Sequence, residues 1–392
     1  MQRKCRRIVD LHLETTMKQS VVRRTARKFA ESRLANAAIE MDNTGVFPLN
    51  LAHEMGRLKY FGLEIPHEFG GAGLDTLSSA IVIEEISRTN AAMGLCVAVH
   101  NGVAATPVHI YGNEDQKRSF LPALATGNKI GTFCLTEPNS GSDASSLETR
   151  AYRRGNGYVI NGNKVFVTNG GISGINLIFA RLEIAGKRDS FSVFIVESDR
   201  KGVEKGPVEE MMGMRGNPVC SISLYDCYIP EENLLGEEGQ GLRIALSTLN
   251  GGRIGIAAQA LGIGQGALDM SLKYAKERYQ FGRPLSDFGA VKAKLSDMAT
   301  RLEASRLLTY RACDLREKGL DHSRQSAMAK LYSSESAVEA TRTGIQIHGG
   351  YGYTKAYPIE RLYRDAKVCE IYEGTSEVQR MVISRSVIKG EK

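Results

Sequence analysis

Apolar positions recur at intervals of three and four through the first third of the chain. Val21, Ala26, Phe29, Leu34 and Ala38 fall near one helical face, Pro48 opens a second run through Leu51, Met55 and Leu58, and Ile81 to Ile86 keeps the same period. The pattern predicts a helical domain over residues 1–130. Within it, Met93 to Ala105 is rich in Ala, Val and Gly and predicts a buried helix suited to wall a ligand cavity. The stretch Glu68-Phe69-Gly70-Gly71-Ala72-Gly73 follows no strand and precedes no Lys-Ser/Thr, so it reads as a plain loop rather than a phosphate cradle.

The texture changes over residues 131–240, which predict a middle β domain. Phe133-Cys134-Leu135-Thr136 is a short apolar run broken by Glu137-Pro138, and Leu177 to Leu182 and Phe191 to Val196 are strand-like. Tyr158-Val159-Ile160 and Lys164-Val165-Phe166-Val167 flank Asn161-Gly162, which predicts a hairpin turning at that dipeptide. Pro230 to Gly241 reads as the exit. Residues 241–392 return to helical spacing, with Ile254, Ala257, Leu261, Gly264, Leu268, Leu272 and Ala275 in one stripe and Val291, Leu295, Met298 and Leu302 in another. Both stripes are expected in the core of an antiparallel bundle. Gly262-Ile263-Gly264-Gln265-Gly266-Ala267 resembles a dinucleotide-binding motif in letters only; it lies inside a helix with no strand before it, and is read as small residues that let helices approach.

Composition narrows the class. A chain of 392 residues that is 42% hydrophobic can build two or three cored domains. No apolar run has bilayer-spanning length, and Met1-Gln2-Arg3-Lys4-Cys5-Arg6-Arg7 is followed by no apolar leader core, so a cytoplasmic protein without a membrane partner is expected. Seven scattered cysteines form no C-x-x-C pair and no zinc spacing, which points to reduced thiols and no metal. The net charge of +7 suits an anionic small molecule as well as a nucleic acid, and no nucleic-acid partner is expected. The basic clusters at Arg3 to Arg7 and Arg23 to Lys28 read as solvated helix faces.

Several segments carry groups suited to chemistry. Glu373, between Tyr372 and Gly374 at the junction of two helical segments, is a carboxylate that a turn can aim into a cleft, where desolvation would raise its pKa for general-base work. Read alone, the same stretch also fits a solvated Glu beside a helix-breaking Gly. Thr136 to Asp143 places hydroxyls and free N–H groups in a loop leaving a strand, suited to a heterocycle or phosphate. Phe166 to Gly171 ends a strand with an aromatic, a hydroxyl and a turn; Arg278 to Arg283 closes a helix with cations; Gln346 to Tyr353 opens backbone to close approach.

Taken in order, these segments resemble the acyl-CoA dehydrogenase family of flavoenzymes, from about Val9 to Val387. The carrying motifs are Leu135-Thr136-Glu137-Pro138 with Gly141-Ser142-Asp143, Phe166 to Gly170, Met212 to Gly216, Pro230 to Gly241, Asn250 to Arg253, Glu277 to Gly282, Gln346 to Gly352, and Ile371 to Glu377 with Gln379-Arg380. Residues Met1 to Ile8 precede the family's usual start. The resemblance implies an α+β, mostly α fold: an N-terminal helical domain, a middle β domain of barrel or sandwich type and a C-terminal four-helix bundle, assembled as a homotetramer of paired dimers. It also implies FAD and an acyl-CoA substrate. By position, Phe133, Leu135, Thr136, Gly141, Ser142, Phe166, Val167 and Thr168 would line the flavin. Arg278, Gln280, Phe281, Gln346 and Gly350 would reach the FAD of a neighbouring subunit, and Thr375 and Glu377 would complete its site. Ser142, Asn250, Arg253 and Gly374 would contact the substrate. The implied reaction takes the α-proton onto Glu373 and the β-hydride onto flavin N5, with the Glu373 N–H among the donors to the thioester oxygen and electrons leaving to an electron-transfer flavoprotein.

Departures and alternatives bear on that expectation. Some members place the base immediately before the residue matching Arg253; here that residue is Gly252, which leaves Glu373. Gln259 and Cys369 match the short-chain, butyryl-CoA dehydrogenase-like subgroup and imply a short or compactly branched acyl group. Phe166 replaces a common Trp, Asn250 a common Asp, and Gly289 a common Gln. A related acyl-CoA oxidase using oxygen and a non-catalytic binding module remain the alternatives.

Overall fold

A computed structural model describes residues 15–183 and 190–390. The Arg3 to Arg7 cluster, Cys5 and residues 1–8 lie outside them. The chain starts with α1 (Met17–Phe29), capped by Thr16, whose hydroxyl accepts from the Gln19 N–H while Gln19 returns a bond to the Thr16 N–H. A π-helical turn leads into α2 (Ala35–Thr44), then α3 (Leu49–Arg57) and α4 (Thr76–Thr89) follow. Asn90 ends α4 with extended backbone and caps α5 (Ala91–Val99) through its side chain.

From α5 the helix continues through a π-helical turn, His100–Ala105, into α6 (Thr106–Tyr111). The expected buried helix over Met93 to Ala105 is therefore present. Contrary to the reading that no apolar run reaches bilayer length, the continuous helix Ala91–Tyr111 is long and apolar enough to cross a membrane, but 89% of its most apolar 18-residue stretch is buried inside the protein. α7 (Glu114–Ala125) completes this part.

Arg23 and Arg27 correct the expectation of a wholly solvated basic face. Both reach from α1 to Glu85 on α4, at 2.6 and 2.9 Å, and Arg23 also meets Glu84. Arg24 and Lys28 of that cluster face solvent, and Arg27 keeps part of its side chain there. Sequence spacing revealed the run of cations but not the buried acids 60 residues away.

The β region has β1 (Ile130–Cys134), β2 (Arg150–Arg153), β3 (Gly157–Val167), β4 (Ser173–Leu182), β5 (Phe191–Glu197), β6 (Val203–Val208), β7 (Cys220–Pro230) and β8 (Leu234–Leu235). Strand order is β6-β7-β3-β2-β4-β5-β8, with β1 added in parallel beside β4. The hairpin predicted at Asn161-Gly162 is not formed. β3 runs straight through that dipeptide with a bulge against β7, and Gly162 is needed because a Cβ there would meet the Thr149 hydroxyl at 2.3 Å. The turn lies earlier, at Gly155-Asn156, closed by the Arg154 N–H on the Gly157 carbonyl. Strand β3 is held by the sheet on both sides, so a local turn signal lost to tertiary pairing.

The remaining helices are α8 (Gly241–Glu277), α9 (Gly289–Glu317), α10 (Ser323–His348), α11 (Ile359–Lys367) and α12 (Ser376–Ile388), with a small hairpin of β9 (Tyr279–Gln280) and β10 (Arg283–Pro284) between α8 and α9. A Cβ on Gly262 would meet the Glu84 carbonyl at 2.2 Å, and one on Gly266 the Arg88 carbonyl at 2.5 Å. Those glycines set the contact between α8 and α4, as their reading for close packing expects. Of the predicted stripes, Ile254, Ala257, Leu261, Gly264 and Ala275 are buried, whereas Leu272 is exposed at the far end of α8.

Candidate active site

The segment between α11 and α12 is a short 3₁₀ turn, Val368–Glu370, followed by residues that do not continue as helix. Glu373 and Gly374 both have positive φ, +51° and +93°. For Gly this is unstrained; for Glu it is a costly conformation that persists only when its surroundings impose it. Three bonds do so. The Gln379 amide donates to the Glu373 carbonyl at 3.2 Å and to the Gly374 carbonyl at 2.8 Å, and Lys330 Nζ donates to the Gly374 carbonyl at 2.8 Å. Thr375 then caps α12 by accepting from the Val378 N–H.

The turn lays the Glu373 side chain against α8. A Cβ on Gly252 would stand 2.3 Å from Glu373 Oε2 and 2.7 Å from Val103 Cγ1, so the glycine makes the room that the carboxylate occupies. Gly102, in the π-helical turn, faces Gly252 across the same gap. Glu373 is partly covered as a residue, but its Oε2 is shielded from solvent and has no hydrogen-bond partner. Burial pushes the Glu373 pKa up to about 7, and the positive charges of Lys330 and Arg253 act against that rise. Arg253 is 5% exposed, donates to Asn250 Oδ1 at 2.7 Å and keeps its Nε unpaired. A carboxylate and a guanidinium with free buried bonding capacity mark a place for a polar ligand.

Beside the carboxylate lies a closed polar set. Tyr372 donates to Gln259 Oε1 at 2.7 Å, the Gln259 amide donates to the Ala91 carbonyl at 3.1 Å, and Cys369 Sγ is 3.3 Å from the Tyr372 hydroxyl. Gln259 and Cys369 are fully buried, so these two sequence-chosen residues stand behind Tyr372 and would shape a pocket through it. Phe133 packs into the same cluster as Val99, Val103, Cys369 and Tyr372, which brings the end of β1 to this site.

The loop after β1 is fixed by an ion pair that the sequence did not signal. Lys164, without exposure, lies 2.6 Å from Glu137, which also accepts from the Glu148 and Thr149 N–H groups. Burial alone would raise the Glu137 pKa; the Lys164 charge and these bonds outweigh it and hold the carboxyl below the usual range. The Val165 N–H donates to the Thr136 carbonyl at 3.0 Å, joining the loop to β3. Thr136 and Thr168 are half-buried there, Leu135 is 8% exposed, and Gly141 and Ser142 lie on the exposed side. Phe166 is 63% exposed with φ +54°, a bulky side chain held outward in a strained backbone. Val167 turns the other way, 2% exposed in the sheet core, so only its backbone faces the loop side. The Asn169 amide ties the end of β3 to the Cys96 carbonyl of α5.

The other sequence-chosen residues form a separate group. Arg278 and Gln280 line a cleft of about 540 Å³ with Gly350 and Tyr351, while Gln346 and Phe281 are exposed nearby in sequence, Phe281 at 92%. Phe281 and Gly282 both have positive φ, as a two-residue hairpin turn requires. Glu377 is exposed in the first turn of α12.

Three family models cover nearly the whole chain: acyl-CoA dehydrogenase N-terminal domain over residues 16–128, middle domain over 132–227 and C-terminal domain over 239–388. The chain belongs to the acyl-CoA dehydrogenase family. It is therefore an oxidoreductase of a flavoprotein family whose solved members include complexes with FAD and with FADH2. An acyl-CoA dehydrogenase of Bacillus subtilis is 46% identical over 378 residues, covering 96% of this chain and 100% of that one. The butyryl-CoA dehydrogenase of Megasphaera elsdenii superposes with a TM-score of 0.94 at 38% identity, covering 96% of this chain and 100% of that one. A chain in a structure described as the electron transferring flavoprotein of Acidaminococcus fermentans gives the same TM-score at 42% identity, covering 97% and 100%. The expected α+β, mostly helical family fold is thus the one observed.

Proposed function

We propose that this protein is an acyl-CoA dehydrogenase that oxidises a short or compactly branched acyl-CoA to its 2-enoyl-CoA, with Glu373 as the base. The observation that carries the reading is the Glu373 carboxyl, its Oε2 shielded and without a partner and its pKa pushed up to about 7 by burial, in a turn that points it at Gly252. An α-proton of a thioester is weakly acidic, so a base needs both reach and a pKa near the working pH. Glu373 meets the second condition by burial, and the imposed left-handed turn supplies the first.

The residues present fit FAD. The strained, outward Phe166 offers a flat apolar wall, Thr136 and Thr168 offer hydroxyls beside it, and the open space at Gly141 admits close backbone approach. Bound FAD would supply the acceptor for the hydride leaving Cβ. Leu135, Thr136, Ser142, Phe166 and Thr168 would hold the isoalloxazine side, with Thr375 and Glu377 at the α12 N-terminus. Arg278, Gln280, Phe281, Gln346 and Gly350 would serve a neighbouring subunit of a homotetramer. Arg253 and Asn250 would orient the CoA portion, while the Glu373 backbone N–H would donate to the thioester oxygen as negative charge develops there. Tyr372, fixed by Gln259 and Cys369, would limit the length of the acyl group. The Megasphaera enzyme supports the short acyl group, and the Acidaminococcus structure supports an electron-transfer flavoprotein as acceptor.

The test is anaerobic mixing of the purified flavoprotein with a panel of acyl-CoAs while flavin absorbance is followed. Bleaching by butyryl- or isobutyryl-sized thioesters is expected, and bleaching only by long-chain thioesters would overturn the substrate class. Rapid return of colour on admitting air would assign an oxidase instead.

A further inference from the structure

We infer that Lys330 is a positioning residue for the reaction: its buried ammonium anchors the Glu373-Gly374 turn and biases the base toward its charged form. The inference rests on the assignment of Glu373 as base.

Lys330 has no solvent exposure, and it sits on α10, the helix that also carries Gln346 but gives the Glu373 turn no residue read from sequence. A buried lysine is costly unless its charge is used. Here Nζ donates to the Gly374 carbonyl at 2.8 Å, the carbonyl immediately after the left-handed Glu373. Gln379 donates to the same carbonyl from α12, so the turn is clamped from two helices. Gln379 is neutral and lies within the segment that the turn begins; Lys330 is the clamp from outside it and the only charged one. The groups acting on Lys330 are Cys369 and Glu370 from the 3₁₀ turn, Glu373 itself and Arg253 from α8, with Glu377 of α12 also feeling its charge. Glu370 is paired with Lys367 at 2.6 Å and Cys369 is a buried thiol pushed up to about 12, which leaves Glu373 as the carboxylate that Lys330 serves. Burial lowers the Lys330 pKa to about 8, so it still carries charge where Glu373 titrates.

Two substitutions separate the clamp from the charge. Lys330→Met removes both; Lys330→Gln keeps a donor without charge. In each, the acid limb of the pH profile for flavin reduction, which reports deprotonation of the base, should move to higher pH by about one unit because a stabilising cation is gone. In Lys330→Met the rate at the plateau should also fall about tenfold or more, as expected for a misaimed base. A readout independent of turnover is amide hydrogen exchange in residues 371–376, faster in Lys330→Met than in wild type, with Lys330→Gln close to wild type.

A wild-type acid limb in both variants would overturn the inference, even with a lowered melting temperature. If Lys330→Met fails to fold, the acid limb of Lys330→Gln decides alone. Failure of the base assignment shows separately, as flavin bleaching at the wild-type rate in Glu373→Gln.

Discussion

Glu373 combines a strained backbone, a displaced pKa and a neighbour reduced to a glycine. Replacing it with Gln preserves shape while removing the acceptor of the proton. Glu373→Gln should retain FAD and bind acyl-CoA without bleaching the flavin, read by anaerobic absorbance spectroscopy. Its stability should also lose a pH dependence. The wild-type carboxyl has a folded pKa near 7, above its unfolded value, so the native state holds a proton that the unfolded state releases. Stability from this group is therefore full in acid and declines as pH rises through about 7. Glu373→Gln should be the more stable protein above that pH, by about 2 kcal/mol, with the difference vanishing near pH 4. Melting temperatures measured across that range test the sign. Lys164 is a second residue whose loss is informative. Lys164→Met leaves Glu137 buried without its cation and should cost about 3–5 kcal/mol, with loss of bound FAD, measured by denaturant titration and by the flavin-to-protein absorbance ratio.

Glycines let the elements that carry these residues approach closely. α8 carries Gly252 against Glu373, and ten residues on it carries Gly262 against the Glu84 carbonyl of α4. Substituting either with Ala introduces one methyl group, yet the consequences differ. Gly262→Ala must separate two helices and should destabilise the protein by about 1–3 kcal/mol, seen as a lower denaturation midpoint. Gly252→Ala meets a side-chain end instead, so it should lower the rate of flavin reduction far more than it lowers stability. Stopped-flow reduction compared with thermal melting distinguishes the two.

Across the whole molecule, distant segments are joined by a few charged and polar contacts. Arg364 of α11 makes two bonds of 2.7 Å to Asp42 of α2, and Asp365 accepts from the Met214 N–H in the segment before β7. Burial would raise the Asp42 pKa, but Arg364 outweighs it and the value is lowered. The stabilisation from Asp42 is therefore present above the unfolded pKa and is lost as pH falls through the lower folded one. Asp42→Asn should lower stability by about 1–2 kcal/mol at neutral pH, and the difference should shrink only as pH falls below the ordinary carboxylate value of 3.8 and through the lower folded one, measured by chemical denaturation across that range. Glu84 and Glu85 of α4 make a second such junction, collecting Arg23, Arg88 and Arg306 from three helices.

What the sequence determined by itself was periodic or locally coded. Spacing of three and four marked the helical parts, apolar runs marked β4 and β5, and the absence of a strand before Gly262 excluded a dinucleotide site in favour of helix packing. The resemblance carried by Glu373, Arg253, Thr136 and Phe166 led to the family. Tertiary structure decided what depends on partners far away in the chain. Asn161-Gly162 has the composition of a turn and lies in the middle of β3, because pairing on both sides outweighs a local preference. Arg23 and Arg27 look solvated until α4 presents Glu84 and Glu85. Gln259 and Cys369 were chosen as pocket residues, and only packing placed Tyr372 in front of them. Lys330 sits 43 residues before Glu373, on α10 but outside the Gln346 to Gly352 motif, with no local pattern to mark it. A carboxylate's reach and pKa come from what surrounds it, and those surroundings are assembled only when α8, α10 and the turn before α12 meet.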